Sequence, residues 1–426
     1  MDDLLRAVLR SVAARHGTPS YVYFLNGVLQ RIRNVRSAFG GRFDISFAVK
    51  SNPNVQLLRR IAGEVETLDV SSIGEVDRGL MCGCEARRMT FSGPAKRVAE
   101  LRRAVELGCG EIVCESAWEI EKLDEISREF GRKTNFLIRI NPSRTPRHFG
   151  VNMAGKPSQF GIDEEDLPPV LDTIGQQEGL SFEGFHIYSG TNCIQESAIA
   201  ENFGIFIELF TRFSDAHGLQ PRKLIFGSGF GIPYHDGQNQ LDLAELAAAI
   251  NPMIDEMRNH PRLSDARCVL EMGRYLVGPE GYFLTTVINE KRSRGTEIRM
   301  CDAGFNTHLA ACGMLGTVIR RPWQISKLNA SGAEKEQPYL LCGPLCTTID
   351  ILASNIELPE LRRGDVLAIG SSGAYGVTSS PVRFISHPEP REILVAGSQT
   401  APEIIDITEC GASLPNRKDV QTDGRV

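Results

Sequence analysis

With 426 residues, 42 % of them hydrophobic, the chain carries enough apolar material for a large core, and its length favours two or three domains. A formal charge of -6 and no dense Lys/Arg block exclude general affinity for a phosphate backbone, so no nucleic-acid partner is expected. No apolar run is long enough to span a bilayer, Met1-Asp2-Asp3 lacks the basic opening of a signal peptide, and the 11 cysteines include no C-x-x-C pair; a cytoplasmic protein with no membrane partner, disulfide framework or metal is expected.

The run Tyr21-Val22-Tyr23-Phe24 reads as a strand. It precedes the first barrel helix and is expected to pair with the C-terminal part of the chain. Short β-like runs then alternate with helical patterns at 45–50, 66–70, 88–92, 111–114, 135–141, 182–188, 223–227 and 267–271. Between them apolar residues recur at three and four, as Val98, Leu101 and Val105 do. Eight such alternations match the size and period of an α/β fold, the (β/α)8 TIM-like barrel. Beyond Glu271 the strand-like runs 282–291, 296–302, 338–342, 366–370 and 393–395 mostly lack intervening amphipathic helices, which predicts an antiparallel β domain. The expected division is 1–27 as an N-terminal segment whose strand joins the β domain, 28–275 as the barrel, 276–410 as the β domain and 411–426 as a polar tail. The segments 142–158 and 329–337 read as loops. The first comes directly after the fifth barrel strand, where mouth loops carry function.

Chemistry gathers at the carboxyl ends of these strands, where parallel α/β folds bind their ligands. Lys50 ends the first run, ahead of the Asn52-Pro53 break. A desolvated lysine there attacks carbonyls, although a solvated surface lysine has the same local sequence. Asp69 is either a site acid or a helix cap, and His186 either faces a ligand or is a satisfied core histidine. Gly227-Ser228-Gly229 lets backbone N–H groups approach an anion, or is only a turn. Arg274 offers a fork to phosphate oxygens and Glu271 can hold a proton on a ring nitrogen, unless the two simply pair. Cys346, in Gly343-Pro344-Leu345-Cys346, and Tyr375, in Ser372-Gly373-Ala374-Tyr375-Gly376, are by themselves a thiol and an aromatic of any core.

In this order, these stretches resemble the fold type III pyridoxal-phosphate decarboxylases, the ornithine and diaminopimelate decarboxylase superfamily with its alanine racemase-like architecture, from about Tyr21 to Pro390. Met153-Ala154-Gly155-Lys156-Pro157-Ser158-Gln159-Phe160-Gly161 and the run from Glu271 through Gly278 resemble most the branches acting on modified amino acids. These are the exosortase-associated group, the glutamyl-carrier-protein decarboxylases and the citryl-diaminopropionate decarboxylases. The resemblance implies pyridoxal 5'-phosphate as cofactor, held by Lys50 as a Schiff base. It places His186 on the cofactor ring, Asp69 beside the Schiff base, Glu271 on the ring nitrogen, and Ser189, Gly227, Gly229, Arg274 and Tyr375 at the phosphate. Ser228 stands where the family has the middle glycine of its phosphate turn and adds a hydroxyl for the phosphate. Cys346 becomes the acid that returns a proton to Cα, reaching in from the second subunit of a head-to-tail homodimer.

The resemblance also sets Asp302 and Thr347 on the substrate side. Glu271, where fold type III racemases have an arginine, favours decarboxylation. Thr347 replaces the acid with which ornithine and diaminopimelate decarboxylases hold a distal amine. Arg144, Arg147, Arg292, Arg294, Arg320 and Arg321 nearby then point to a substrate, small or carrier-protein-linked, whose far end is acidic or conjugated, while Asp350 is the acid that would restore an amine anchor. The other readings are a diaminopimelate-, ornithine- or lysine-type decarboxylase, an amino-acid racemase and, in a different class, a non-catalytic regulatory homologue.

Overall fold

The computed structural model describes every residue except 148, 150, 315–320, 331–333, 399–400 and 410–426, and the backbone alone at 151 and 152. Arg320 and the expected tail 411–426 therefore lie outside the described residues.

Eight parallel strands close into a barrel: Asp44–Ala48, Thr67–Val70, Met89–Phe91, Glu111–Cys114, Thr134–Asn141, Leu180–Ile187, Lys223–Gly227 and Arg267–Met272. The eighth strand returns to the first through pairs such as Leu270↔Ile45 and Glu271↔Ser46. Inside, Val113, Leu137, Ile225 and Val269 form a buried cluster of their own. Side chains alternate along a strand, so Glu115, Arg139, Gly227 and Glu271, two residues on in each case, face the interior one layer higher. The polar mouth of the barrel is thus set by strand parity.

The outer faces of the strands carry the opposite parity and pack against helices. Helix Glu196–Ala216 presents Phe203, Phe206 and Phe210, spaced at three and four, to Phe226 of the seventh strand. Their ring centroids lie 5.2, 6.0 and 5.3 Å from that of Phe226. Truncating a phenylalanine so enclosed costs about 3–5 kcal/mol.

The second sheet is antiparallel in most of its pairings. The early strand Ser20–Phe24 does join it, antiparallel to Gly281–Ser293 and parallel to Arg391–Ser398. A second parallel pairing links Thr296–Cys301 to Glu336–Cys342. Three strands were not foreseen from sequence: Ile325–Lys327, Ile351–Pro359 and Ala401–Asp406. Nor was helix Asp3–His16, which Asp2 caps by accepting from Leu5 N at 2.8 Å. Its Val8, Leu9 and Val12 cover Val22, Ile393 and Val395 of the sheet. Among the described residues, no helix is long and apolar enough to cross a membrane.

Candidate active site

The first barrel strand ends at Ala48, and Lys50 stands just beyond it in a single 3-10 turn, Val49–Ser51. That turn is fastened from outside the barrel. Tyr375 N donates to Ser51 O at 2.8 Å and Asn52 Nδ2 to Gly373 O at 3.0 Å. Asn54 caps the next helix, Val55–Ala62, through its Oδ1, and its Nδ2 donates to Glu392 Oε2 at 3.1 Å. The Lys50 ammonium is left between two carboxylates, 3.1 Å from Asp69 Oδ2 and 3.2 Å from Glu271 Oε1.

Burial works against the Lys50 charge, but Asp69 and Glu271 outweigh it and raise the amine well above its ordinary value. The Lys50 side chain keeps 38 % of its surface open to the cleft even though protein surrounds it, whereas its two partners keep 4 %. Burial pushes Glu271 up, yet Lys50 and His186 together hold it well below the usual carboxylate range. Asp69 moves the other way, raised by burial and by the charge of Glu271.

Each sequence ambiguity at this mouth has a geometric answer. Asp69 caps no helix, because Ser72 does so by accepting from Glu75 N at 3.2 Å; Asp69 instead accepts from Ser92 Oγ at 2.7 Å and faces Lys50. His186 is buried with Nε2 2.9 Å from Glu271 Oε2, while its Nδ1 finds no protein partner. Glu271 and Arg274 do not pair with each other. Arg274 bonds the Tyr234 hydroxyl and lies over the Tyr375 ring at 4.7 Å.

Beside Arg274 the chain forms a cradle. A Cβ at Gly227 would stand 2.3 Å from the Tyr188 ring, and one at Gly229, where φ is +65°, would stand 2.6 Å from Phe149 of the long mouth loop. Tyr375 holds a left-handed φ of 53°, which brings its ring onto Arg274. Two buried atoms here lack protein partners, Ser189 Oγ and Arg274 Nε. Ser228 lines the cleft, and its hydroxyl donates to Glu271 O at 2.8 Å, which fastens the turn to the eighth strand.

The residues expected on the substrate side lie apart from this cleft. Cys346 is the exposed thiol among the described cysteines, and Thr347 N is turned back to Leu345 O at 2.8 Å. Asp302 is held within the β domain: its Oδ1 accepts from Thr285 Oγ1 at 2.7 Å and Thr286 N at 2.9 Å, and its Oδ2 from Thr18. Asp350 is buried and fixed, accepting from Phe305 N at 2.9 Å and Leu345 N at 2.8 Å. Of the arginines, Arg144 pairs with Glu208 and Arg292 with Glu297, while Arg147, Arg294 and Arg321 are exposed.

Sequence reading passed over Glu115, Arg139, Tyr188 and Tyr234. Arg139 is buried in the wall with Nη1 3.2 Å from Glu115 Oε1, stacks on Phe160 at 4.6 Å, and is in register with His186. The available signal was a lone arginine inside the apolar run Phe136-Leu137-Ile138-Arg139-Ile140.

Residues 25–278 match the family described as pyridoxal-dependent decarboxylase, pyridoxal binding domain. The chain belongs to that family: it is a decarboxylase that works with pyridoxal phosphate. It is 30 % identical over 395 residues to the L-glutamyl-[BtrI acyl-carrier protein] decarboxylase of Niallia circulans, covering 92 % of each chain. It is 26 % identical over 398 residues, 92 % of this chain and 97 % of the other, to the 2-[(L-alanin-3-ylcarbamoyl)methyl]-2-hydroxybutanedioate decarboxylase of Staphylococcus aureus. The crystal structure of diaminopimelate decarboxylase from Helicobacter pylori complexed with L-lysine superposes with a TM-score of 0.82 at 26 % identity, covering 94 % of this chain and 96 % of that one. The site fits the cofactor: the partnerless Ser189 Oγ and Arg274 Nε beside side-chain-free Gly227 and Gly229 suit a phosphate, and the free Nδ1 of His186 suits a polar ring face.

Proposed function

We propose that this enzyme removes the α-carboxylate of an amino acid whose distal end is acidic or conjugated, free or carried on a partner protein. The observation that carries the reading is Asp350. With Thr347 beside Cys346, it is the nearby carboxylate left for a distal ammonium, and two backbone N–H groups already hold it in place. A cation brought there unpaired costs several kcal/mol. The named substrates of the Niallia and Staphylococcus relatives, a carrier-bound glutamyl group and a conjugated alanine derivative, agree with such a preference.

In this reading Lys50 is the attachment point for the cofactor aldehyde. To react it must shed a proton, and Asp69, 3.1 Å away and raised by burial, is placed to take it. Ser189, Gly227, Gly229, Arg274 and Tyr375 hold the phosphate, and His186 lies against the ring. Bound pyridoxal phosphate supplies an electron sink for the pair left at Cα. Glu271, which His186 also helps to keep ionised at 2.9 Å, would hold the proton on the ring nitrogen. Cys346 returns a proton to Cα. Because it is exposed and lies outside the cleft around Lys50, we assign it to the cleft of a second copy, docked through a face that also exposes Ile349, Phe384 and Ile385.

A decarboxylation screen that sets ornithine, lysine and diaminopimelate beside glutamyl-carrier and citryl-diaminopropionate conjugates tests the substrate, with products weighed by mass spectrometry. The conjugates should turn over and the free diamino acids should not; efficient release of carbon dioxide from diaminopimelate would make this a diaminopimelate decarboxylase. In deuterium oxide, Cys346→Ala should lower deuteration of the amine at Cα by about 10²–10⁴-fold in rate while borohydride still fixes the cofactor on the Lys50 peptide.

A further inference from the structure

Behind the cofactor cleft, where the barrel meets the β domain, lies a separate cavity of about 310 Å³. That volume is at the lower edge of those that take small molecules. We propose that this cavity is a second ligand site, for a small carboxylic acid whose remainder is neutral and polar, and that filling it alters the hold on the cofactor phosphate.

The chemistry of the wall selects the ligand. Arg31 is its one guanidinium. Its Nε donates to Tyr275 O at 2.7 Å and its Cζ lies 4.2 Å over the Tyr275 ring; Glu280 lies near enough to feel its charge, yet neither Nη takes a hydrogen-bond partner among the described residues. A guanidinium so oriented offers a fork that matches a carboxylate. Gln238, Gln240, Gln324, Ser326 and Ser371 add neutral donors and acceptors, with Met1 at the rim. No carboxylate lines the space among the described residues, which disfavours an amine. A single fixed guanidinium matches one negative charge better than the two of a phosphate.

The coupling arises from the contacts that the same wall holds in place. Gln238 Oε1 accepts from Tyr234 N at 2.9 Å and His235 N at 3.0 Å, and the Tyr234 hydroxyl is the partner of Arg274. Arg31 grips the carbonyl of Tyr275, the residue after Arg274. Ser371 Oγ donates to Pro233 O at 3.0 Å, joining the β domain to the same segment. One side-chain contact of Arg274, the Tyr234 hydroxyl, and the backbone carbonyl of the residue that follows it are therefore held from the cavity wall, and a ligand that recruits Arg31 or Gln238 pulls on them. This second half of the proposal rests on Arg274 as a phosphate ligand.

Titration calorimetry on the full-length holoenzyme, whose phosphate cradle is already filled, tests the site, with gluconate as the probe acid and inorganic phosphate and 1,4-diaminobutane as contrasts, and reconstitution of the apo-protein with and without gluconate tests the coupling. Gluconate should bind, the diamine should not, and phosphate should bind at least about tenfold more weakly. Arg31→Met should lose gluconate binding at least about tenfold. Gln240→Glu, at the exposed rim and harmless to folding, should weaken it by repulsion even if Arg31→Met does not fold. Saturating gluconate should change the Kd for pyridoxal phosphate by about fivefold or more. Gluconate that fails to bind, or binds both variants as well as it does the wild type, overturns the site, and equal affinity for phosphate overturns its class. Binding without any change in cofactor affinity overturns the coupling, provided that Arg274→Ala weakens the cofactor; if it does not, the assignment of Arg274 has failed and the site stands.

Discussion

Two glutamates in this molecule are buried to nearly the same degree and are shifted in opposite directions. Glu271, in the barrel wall, is 4 % exposed, and Glu392, on the strand that flanks Ser20–Phe24, is 8 % exposed. Burial pushes both up. Glu271 also faces Lys50 and His186, which hold it ionised. Glu392 faces Asn54 and the Tyr23 hydroxyl, neutral donors that pull it down only in part, and the like charge of Glu409, so it rises to about 7. The lesson is that the sign of the neighbours, and not depth, decides what a buried carboxyl does. One is a fixed charge beside Lys50 and His186; the other is a fastening for the Lys50 turn that changes charge near neutral pH.

Removing the fixed charge should have the largest effect. Glu271→Gln should lower the decarboxylation rate by about 10²–10⁴-fold, and a rate within tenfold of wild type would show that no ionised group is needed at that position. Glu392→Gln should act on stability instead. The folded protein keeps a proton on Glu392 from the ordinary 4.5 up to about 7, so its contribution is complete below 4.5, declines as pH rises through that window, and is gone above it. The wild type should therefore lose up to about 3 kcal/mol between pH 5 and pH 8 that the variant does not lose. Denaturant melts at the two pH values measure this, and parallel slopes would remove Glu392 from the account. Glu409→Gln should give the smallest effect, moving the Glu392 window to lower pH because the like charge is gone; a window moved upward would mean that the Glu409–Arg78 pair, and not repulsion, governs Glu392.

These contrasts also mark what the sequence discloses. The eight barrel strands were legible because a two-residue and a 3.6-residue period alternate along one stretch of chain, and Lys50, Asp69, His186 and Glu271 stood out by their places at strand ends. What was not legible depends on partners far away. Nothing near Ser228 shows that its hydroxyl is taken by Glu271 O, and nothing near Asp302 points to Thr18, 284 residues earlier. Asp350 looked like a free acid because the N–H groups that hold it belong to the backbone of Phe305 and Leu345, which sequence pattern does not reveal. Helix Asp3–His16 was missed because its apolar stripe is short and finds its partners on a sheet built largely from the other end of the chain.

The strand Ser20–Phe24 gives this protein a timetable. A ribosome delivers it early, yet its two neighbours, Gly281–Ser293 and Arg391–Ser398, emerge only after the whole barrel has been made. The turn that carries Lys50 waits in the same way, since Gly373, Tyr375 and Glu392 complete its hold, the last across 338 residues from Asn54. A message with a premature stop between codons 376 and 391 would encode every barrel strand and still leave that turn without Glu392. On the role proposed for Lys50, a fragment ending after the barrel contains the attachment lysine without a finished seat for it.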